Sequence, residues 1–490
     1  MDAQREAETV RIGPVRSRRV RIGAAVVGAI AVFGVVAAFL HNVPDPAGPG
    51  ELGRDGALTI LVFIAAVAGW MSRRSDDTFV ALAAAVVLVV CGVMPSEDVF
   101  ESLGQDQIWL LVAAFVLAAG IERTGLPARS AVALATRARR PRGLFHLITV
   151  ALVGTALLVP STSGRAALVL PLYLALAATF ASRQRMVRAL AVLFPAVVLL
   201  SAIASLLGAG AHLITSEILD STIDAEIGFA RWLLWGLPFA AVSSHLAAEI
   251  VLLLFTRHCD RSEPLRIDAG TLRRQLDVPE RLQRNEVRAA VLLGCVVLLW
   301  STEPVHGLSP ALVALVGALV ITSPRVGTVG INAALAGIPW SLLLFMAATS
   351  GLGTALTESG AAAWVVAELL GRSRPEHVLL GIVVLSVAAH LLVQSRSARS
   401  SVLIPVVVPA AAAAGLNPVA VAFASTAAAG FCHTLTSSAK PVAMFAGIEQ
   451  APTFAPRDLL KLSALLGPAL GALVLLFARY VWPVLGLPLT

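Results

Sequence analysis

Long stretches without a single Asp, Glu, Lys or Arg decide what this chain can become. They are Ala24–Leu40, Ala57–Trp70, Phe79–Val93, Ile108–Gly120, Leu144–Val159, Leu190–Leu207, Ala289–Trp300, Leu312–Ile321, Leu342–Leu356, Val378–Val393 and Leu462–Phe477. About 20 apolar residues cross a bilayer, and shorter runs suit buried or re-entrant segments. No soluble helical core uses so many such runs. Only 14% of the residues are charged, where a soluble domain carries about a quarter. The pattern predicts an all-α polytopic membrane protein.

The first run follows a basic leader, but no small-residue cleavage site precedes Pro44, so it reads as a retained span. Cys91, Cys259, Cys295 and Cys432 are scattered and suggest neither a disulfide framework nor a metal site. The net charge of +7 lies mostly in loops. In a membrane protein such charge reports topology and not nucleic-acid binding. The sequence has no P-loop, no G-x-S-x-G, no H-E-x-x-H and no paired carboxylates. Neither an enzyme, nor an ATP-driven pump, nor a bound cofactor is expected.

Cytoplasmic loops carry excess Lys and Arg. The N-terminus, with Arg5, Arg11, Arg16, Arg18, Arg19 and Arg21, is therefore inside. Arg73 and Arg74 mark the next inside loop, and Arg129–Arg142 another; Glu97, Asp98, Glu101 and Asp106 lie outside between them. Two apolar arms then run from that inside loop to Arg183, Arg185 and Arg188, again inside. Two arms with both ends on one side make a re-entrant hairpin, with its tip at Ser161-Thr162-Ser163-Gly164. Non-helical backbone at that depth is tolerated when it is buried in protein or lines an aqueous cavity. Glu217, Asp220, Asp224 and Glu226 follow on the outside.

The two halves repeat. Residues 161–171 read STSGRAALVLP and residues 395–405 read SRSARSSVLIP, so Ser395 lies 234 positions after Ser161 without a gap. Upstream, Trp109 and Trp340 open apolar spans that end at Gly125 and Gly360. Downstream, His212 and Thr215 find partners in His433 and Thr436. The loop charges make the second half inverted, so its hairpin enters from outside and the C-terminus ends outside; Arg372 and Arg374 sit least well with that count. The chain divides into a basic cytoplasmic N-terminus (1–22), a first span and outer loop (23–56), a first repeat (57–256) with a hairpin at 144–181, a cytoplasmic linker (257–288), and a second repeat (289–490) with a hairpin at 378–415. Inverted repeats with broken helices meeting at the midplane are the build of many secondary transporters.

Arg165 and Arg399 lie just past the tips with no Asp or Glu in either hairpin. A guanidinium at membrane depth costs roughly 3 kcal/mol unless paired or hydrated. A carried anion would pair it, since arginine binds carboxylate or sulfate through two parallel bonds. Alternatively, each arginine caps its own hairpin through backbone carbonyls. Ser161, Thr162, Ser163, Ser395 and Ser397 supply hydroxyls, either to the anion or as plain helix caps. Helix N-termini beyond the tips also favour anions. Arg396 sits in the second tip where the first has Thr162. Lys440 is a further cation near a broken helix, or else a charge at a cytoplasmic end. His212 and His433 are candidates for proton coupling, because histidine titrates near neutrality, or are satisfied buried residues.

This pattern resembles the divalent anion/sodium symporter (DASS) family, from about Ala57 onward. Trp109-Leu-Leu-Val-Ala-Ala-Phe through Glu122-Arg-Thr-Gly125-Leu is similar to that family's helix before the first hairpin. Leu403-Ile-Pro405 through Gly415-Leu416-Asn417-Pro418 is similar to the exit from its second. The resemblance implies eleven spans, two re-entrant hairpins, a homodimer, and elevator-type movement of di- and tricarboxylates or sulfate. It also implies that the tips hold substrate and sodium, and that the family's Thr-Pro-Pro-Asn stretches fall near Thr215-Ser216 and Ser438-Ala439-Lys440, without the Asn; Thr215, Thr436, Ser437 and Lys440 are further candidates for substrate binding. The family's Ser-Asn-Thr signature falls on Ser161-Thr162-Ser163 and Ser395-Arg396-Ser397, and neither has the Asn. A sodium ion would lie near Ser161, Thr162 and Gly208.

The expected protein is thus a secondary carrier of small anions in a bacterial-type inner membrane. An arsenite-efflux or cation/proton antiport relative, or an anion channel, are the alternatives. A cation antiporter wants midplane acids, which the hairpins lack.

Overall fold

The computed structural model describes residues 52–72, 74–157, 159–370 and 374–490. The basic N-terminus and nearly all of the segment expected as the first span and outer loop lie outside them, as do Arg73 and Arg372. Every element among the described residues is a helix. Six are long and apolar enough to cross a bilayer, or seven if the bent pair Ser96–Gly104 and Asp106–Glu122 is one span. That is fewer than the eleven expected. Other apolar helices, such as Asp77–Val90, Pro310–Thr322 and Pro418–Ala428, have only 10–17 residues.

Helices α1 (Arg54–Ser72) and α2 (Asp77–Val90) lead into α3 (Asp106–Glu122). Gly125, at φ 75°, turns the chain into α4 (Leu126–Ala135). The hairpin arms are α5 (Pro141–Thr155) and α6 (Thr162–Thr179). Next come α7 (Gln184–Leu200), a break at 201–209, α8 (Gly210–Ile223) and α9 (Phe229–Phe255). The second half repeats this order. After α10 (Arg284–Ser301) and α11 (Pro310–Thr322) comes α12 (Trp340–Glu358). Gly360, at φ 72°, turns the chain into α13 (Ala361–Leu370). The arms α14 (Pro375–Ala388) and α15 (Arg396–Ala413) follow, then α16 (Pro418–Ala428), a break at 429–439, α17 (Lys440–Ala446) and α18 (Pro456–Leu476). A left-handed φ is open to glycine at little cost, which is why the repeat keeps glycine at both corners.

Local chemistry sets the hairpins. Pro141 and Pro375 each open the incoming arm, where a missing N–H costs nothing. Ser161 and Ser395 cap the outgoing arms, their hydroxyls accepting from the Gly164 and Ala398 amides at 3.3 Å each. The first break is held by close backbone approach. A Cβ on Gly208 would lie 2.0 Å from the Ala202 carbonyl oxygen, and one on Gly236 of α9 would lie 2.1 Å from that of Ile203. The Trp232 indole donates to the same Ile203 oxygen at 3.0 Å.

The two breaks differ in length, and this corrects one part of the repeat. Ala209 and Ala439 are equivalent: each is extended (φ −159°, ψ 148° and φ −156°, ψ 148°) immediately before its helix. His212 therefore lies inside α8, whereas His433 lies in the second break, ahead of α17. The local match of His212 and Thr215 with His433 and Thr436 is out of register. Aligned at Ala209 and Ala439, His212 falls opposite Val442, nine residues beyond His433.

The 257–288 stretch is pinned on both sides. Arg129 of α4 donates to Glu286 at 2.7 Å and to the carbonyls of Pro279 and Arg281. Arg183, beyond α6, pairs with Glu263 at 3.0 Å.

Candidate functional site

Both hairpin tips and both helix breaks face one cavity of about 460 Å³. The first tip contributes Ser161, Thr162 and Ser163, and the second contributes Ser395, Arg396, Ser397 and Arg399. Ala209 and Gly210 line it where the first break meets α8, and Ser437 and Lys440 where the second leads into α17. Helices α6, α8 and α15 all begin at this wall. Their free N–H groups and positive dipole ends favour an anion there. The close approach of α8 to the second tip needs Gly210, where a Cβ would stand 3.1 Å from the Ser397 hydroxyl.

The two arginines of the repeat play different parts. Arg165 is fully buried and absent from the cavity wall. Its Nε donates to Thr155 Oγ1 at 2.9 Å and its Nη1 to the Val198 carbonyl at 3.1 Å. Its Nη2 donates to the Leu152 carbonyl at 2.7 Å and to Ser201 Oγ at 2.6 Å. It ties the first tip to the end of α7, with four of its five N–H donors engaged by the protein itself. Arg399 is equally buried and makes one bond, from Nη1 to the Phe431 carbonyl at 3.2 Å. Its Nε and Nη2 are closed to solvent and have no partner. Arg396 likewise gives Nη1 to the Leu199 carbonyl at 3.2 Å and leaves Nε and Nη2 buried and unpartnered. Buried donors of charged groups are normally satisfied, so four such nitrogens beside one cavity call for an acceptor.

Several expected residues stand apart from the cavity. Thr215 is buried and bonds Thr426 Oγ1 at 2.7 Å. Thr436 does not line the wall. His212 packs flat on Trp232, with ring centroids 5.0 Å apart, and its Nδ1 meets the Ser205 carbonyl at 2.9 Å. His433 meets the Ala196 carbonyl through Nε2 at 3.3 Å. Both histidines are buried and lie off the cavity wall.

Sequence reasoning missed the acids. Asp76 and Asp77, the cap and first residue of α2, line the same cavity. Asp76 caps α2 through the Thr78 amide at 2.9 Å, and Thr78 Oγ1 reaches the Ser341 carbonyl at 2.9 Å. Asp77 approaches the Ser395 side chain. Gln394, also missed, donates to Ser437 Oγ at 3.0 Å. A pair of adjacent acids beside an inside loop was the available signal, but only the fold brings that turn to the second tip. Among the described residues, no group of three or more His, Cys, Asp or Glu side chains is arranged to hold a metal ion.

Comparison with known proteins agrees with this architecture. Residues 24–487 match the family model described as the sodium:sulfate symporter transmembrane region. A membrane protein of Cupriavidus necator is 26% identical over 409 residues, covering 77% of each chain. A sodium-dependent dicarboxylate transporter, SdcS, of Staphylococcus saprophyticus is 20% identical over 424 residues, covering 81% of each. Among solved structures, MtrF of Neisseria gonorrhoeae, described as one of a class of antimetabolite efflux pumps, superposes with a TM-score of 0.57 at 14% identity. The superposition covers 93% of this chain and 99% of that one; at such identity it speaks for the fold alone.

Proposed function

The chain belongs to the sodium:sulfate symporter family, the DASS transporters, and from that premise we propose that it carries a small dianion, a dicarboxylate or a sulfate-like oxyanion, through the cavity between its two tips. One observation carries this reading: Arg396 and Arg399 both line the cavity, and between them they hold four buried guanidinium nitrogens without a hydrogen-bond partner. Guanidinium forks suit carboxylate and sulfate geometry. Ser161, Thr162, Ser163, Ser395 and Ser397 add hydroxyls, and Lys440 and Ser437 complete the far wall. Asp76 and Asp77 lower the net positive charge at the mouth, which favours release of the anion over permanent capture.

The carrier works by elevator-type alternating access in this reading. Eleven spans, inverted repeats, a homodimer, an inside N-terminus and an outside C-terminus in an inner membrane are carried by the family resemblance and the loop charges. The boundaries 57–256 and 289–490 for the repeats, with the linker between them, rest on the recurring order of elements.

Arg396 bears on coupling. Its guanidinium caps the C-terminal carbonyl of Leu199 on α7, at the negative end of that helix dipole. A sodium ion about 4 Å from that fixed charge would be repelled by about 4 kcal/mol at an effective dielectric of roughly 20. The second sodium site is therefore lost in this reading. Any sodium is confined to the first tip, near Ser161, Thr162 and Gly208. Counterflow of labelled succinate or sulfate in proteoliposomes tests the function. A carrier accumulates label against unlabelled internal anion, whereas a channel does not. Wild-type protein without counterflow for either anion would defeat the proposal.

A further inference from the structure

Glu217 lies two turns along α8 from the cavity wall, and anion binding does not use it. Its place among outer acids in the sequence suggests an exposed residue. In the fold it is 5% exposed, on a helix that packs against α12, α15 and α16. Its Oε1 is closed to solvent and has no hydrogen-bond partner. The polar neighbour is Ser350 of α12, itself buried.

No cation faces this carboxyl from the packed helices. Helix α12 carries one charged residue, Glu358 at its far end, and α16 carries none. On α15 the charges are Arg396 and Arg399, both at the cavity end. On α8 itself, His212 is held by Ser205 and Trp232, and Asp220 stands one turn farther out and exposed. Asp224 and Glu226 continue that line of exposed acids. An ionised carboxylate among such neighbours costs roughly 3 kcal/mol at membrane depth. A carboxylic acid has an O–H to donate and costs far less.

In the elevator reading, on which this inference rests, α8 moves with the tips past α12, both helices beginning at the cavity. We propose that Glu217 is a proton-binding site of the carrier, filled through Asp220, Asp224 and Glu226 before α8 docks against Ser350. Proton binding at the outer face and movement of the anion cavity are thereby one linked event. The site differs from His212 and His433, which touch no outer acid in this fold.

The test uses full-length protein in liposomes with labelled succinate, above the pH range in which succinate itself titrates. A single linked proton allows wild-type uptake to rise by up to about tenfold per unit of outer acidification. Glu217→Gln, a permanent mimic of the neutral acid, keeps counterflow and loses this dependence. If Glu217→Gln shows no counterflow, Glu217→Asp decides: it must restore transport together with the pH dependence. A pH response unchanged in Glu217→Gln, or absent from a wild type that shows counterflow, overturns the proton site alone. A wild type without counterflow overturns the carrier reading and this site with it.

Discussion

Arg165 and Arg399 occupy the same place in the repeat, yet their substitutions should fail in opposite ways. Arg165→Ala removes four hydrogen bonds and leaves the tip of the first hairpin untied from α7. At about 1 kcal/mol net for each bond, the loss is roughly 4 kcal/mol. That is a large part of the 5–15 kcal/mol by which proteins are typically stable. At about 2 °C per kcal/mol it lowers the unfolding midpoint by roughly 8 °C. Arg399→Ala removes one bond and relieves two unpartnered donors, so its effect on stability stays within about 1 kcal/mol. The assay is tryptophan-monitored thermal unfolding in detergent, with and without succinate. Arg165→Ala should shift the midpoint down while the surviving folded fraction keeps the succinate-induced stabilisation. Arg399→Ala should keep its midpoint and lose that stabilisation. An Arg165→Ala protein as stable as wild type, or an Arg399→Ala protein still stabilised by succinate, refutes the division of labour.

Three further outcomes follow from particular contacts. Gly208→Ala drives a Cβ to 2.0 Å from the Ala202 carbonyl oxygen, so the variant should yield misfolded or aggregated protein by size-exclusion chromatography; a monodisperse, active variant would contradict the geometry. Burial works against the charge of Glu286, but hydrogen bonds from Arg129 and the Gln283 amide outweigh it and hold the carboxyl below its ordinary range. Its contribution to stability is complete above the ordinary glutamate range and disappears as pH falls through the lowered value. Glu286→Gln should therefore narrow the gap between unfolding midpoints at neutral and strongly acidic pH, and an unchanged gap argues against the pair. Succinate uptake should persist when choline replaces sodium, because Arg396 supplies fixed charge at the second tip; a steep sodium requirement with a Hill coefficient of about two or more contradicts that.

Much of the architecture was legible because it is repeated. Ser161 and Ser395 mark both tips, and Gly125 and Gly360 mark both corners, since each position makes a local demand that few residues meet. The histidines misled for the converse reason. His212 and His433 share neighbours in sequence, but one lies within α8 and the other in the break ahead of α17. The parting of Arg165 from Arg399 was illegible, because it depends on where the fold brings two backbone carbonyls and the hydroxyls of Thr155 and Ser201. Asp76 and Asp77 were overlooked because the turn that bears them lies more than 300 residues from the tip they face. Helix length alone supports six or seven spans among the described residues, since breaks divide several apolar runs into shorter helices.

The most direct measurement is equilibrium binding of labelled succinate and labelled sulfate to purified protein in sodium-free buffer. It compares wild type with the Arg396→Ala, Arg399→Ala double variant. Saturable binding of at least one anion to the wild type is expected, weakened by a factor of a hundred or more in the variant, since two charge-assisted contacts at about 1.5 kcal/mol or more each are lost. Equal affinity in the two proteins would contradict an anion site built on these arginines.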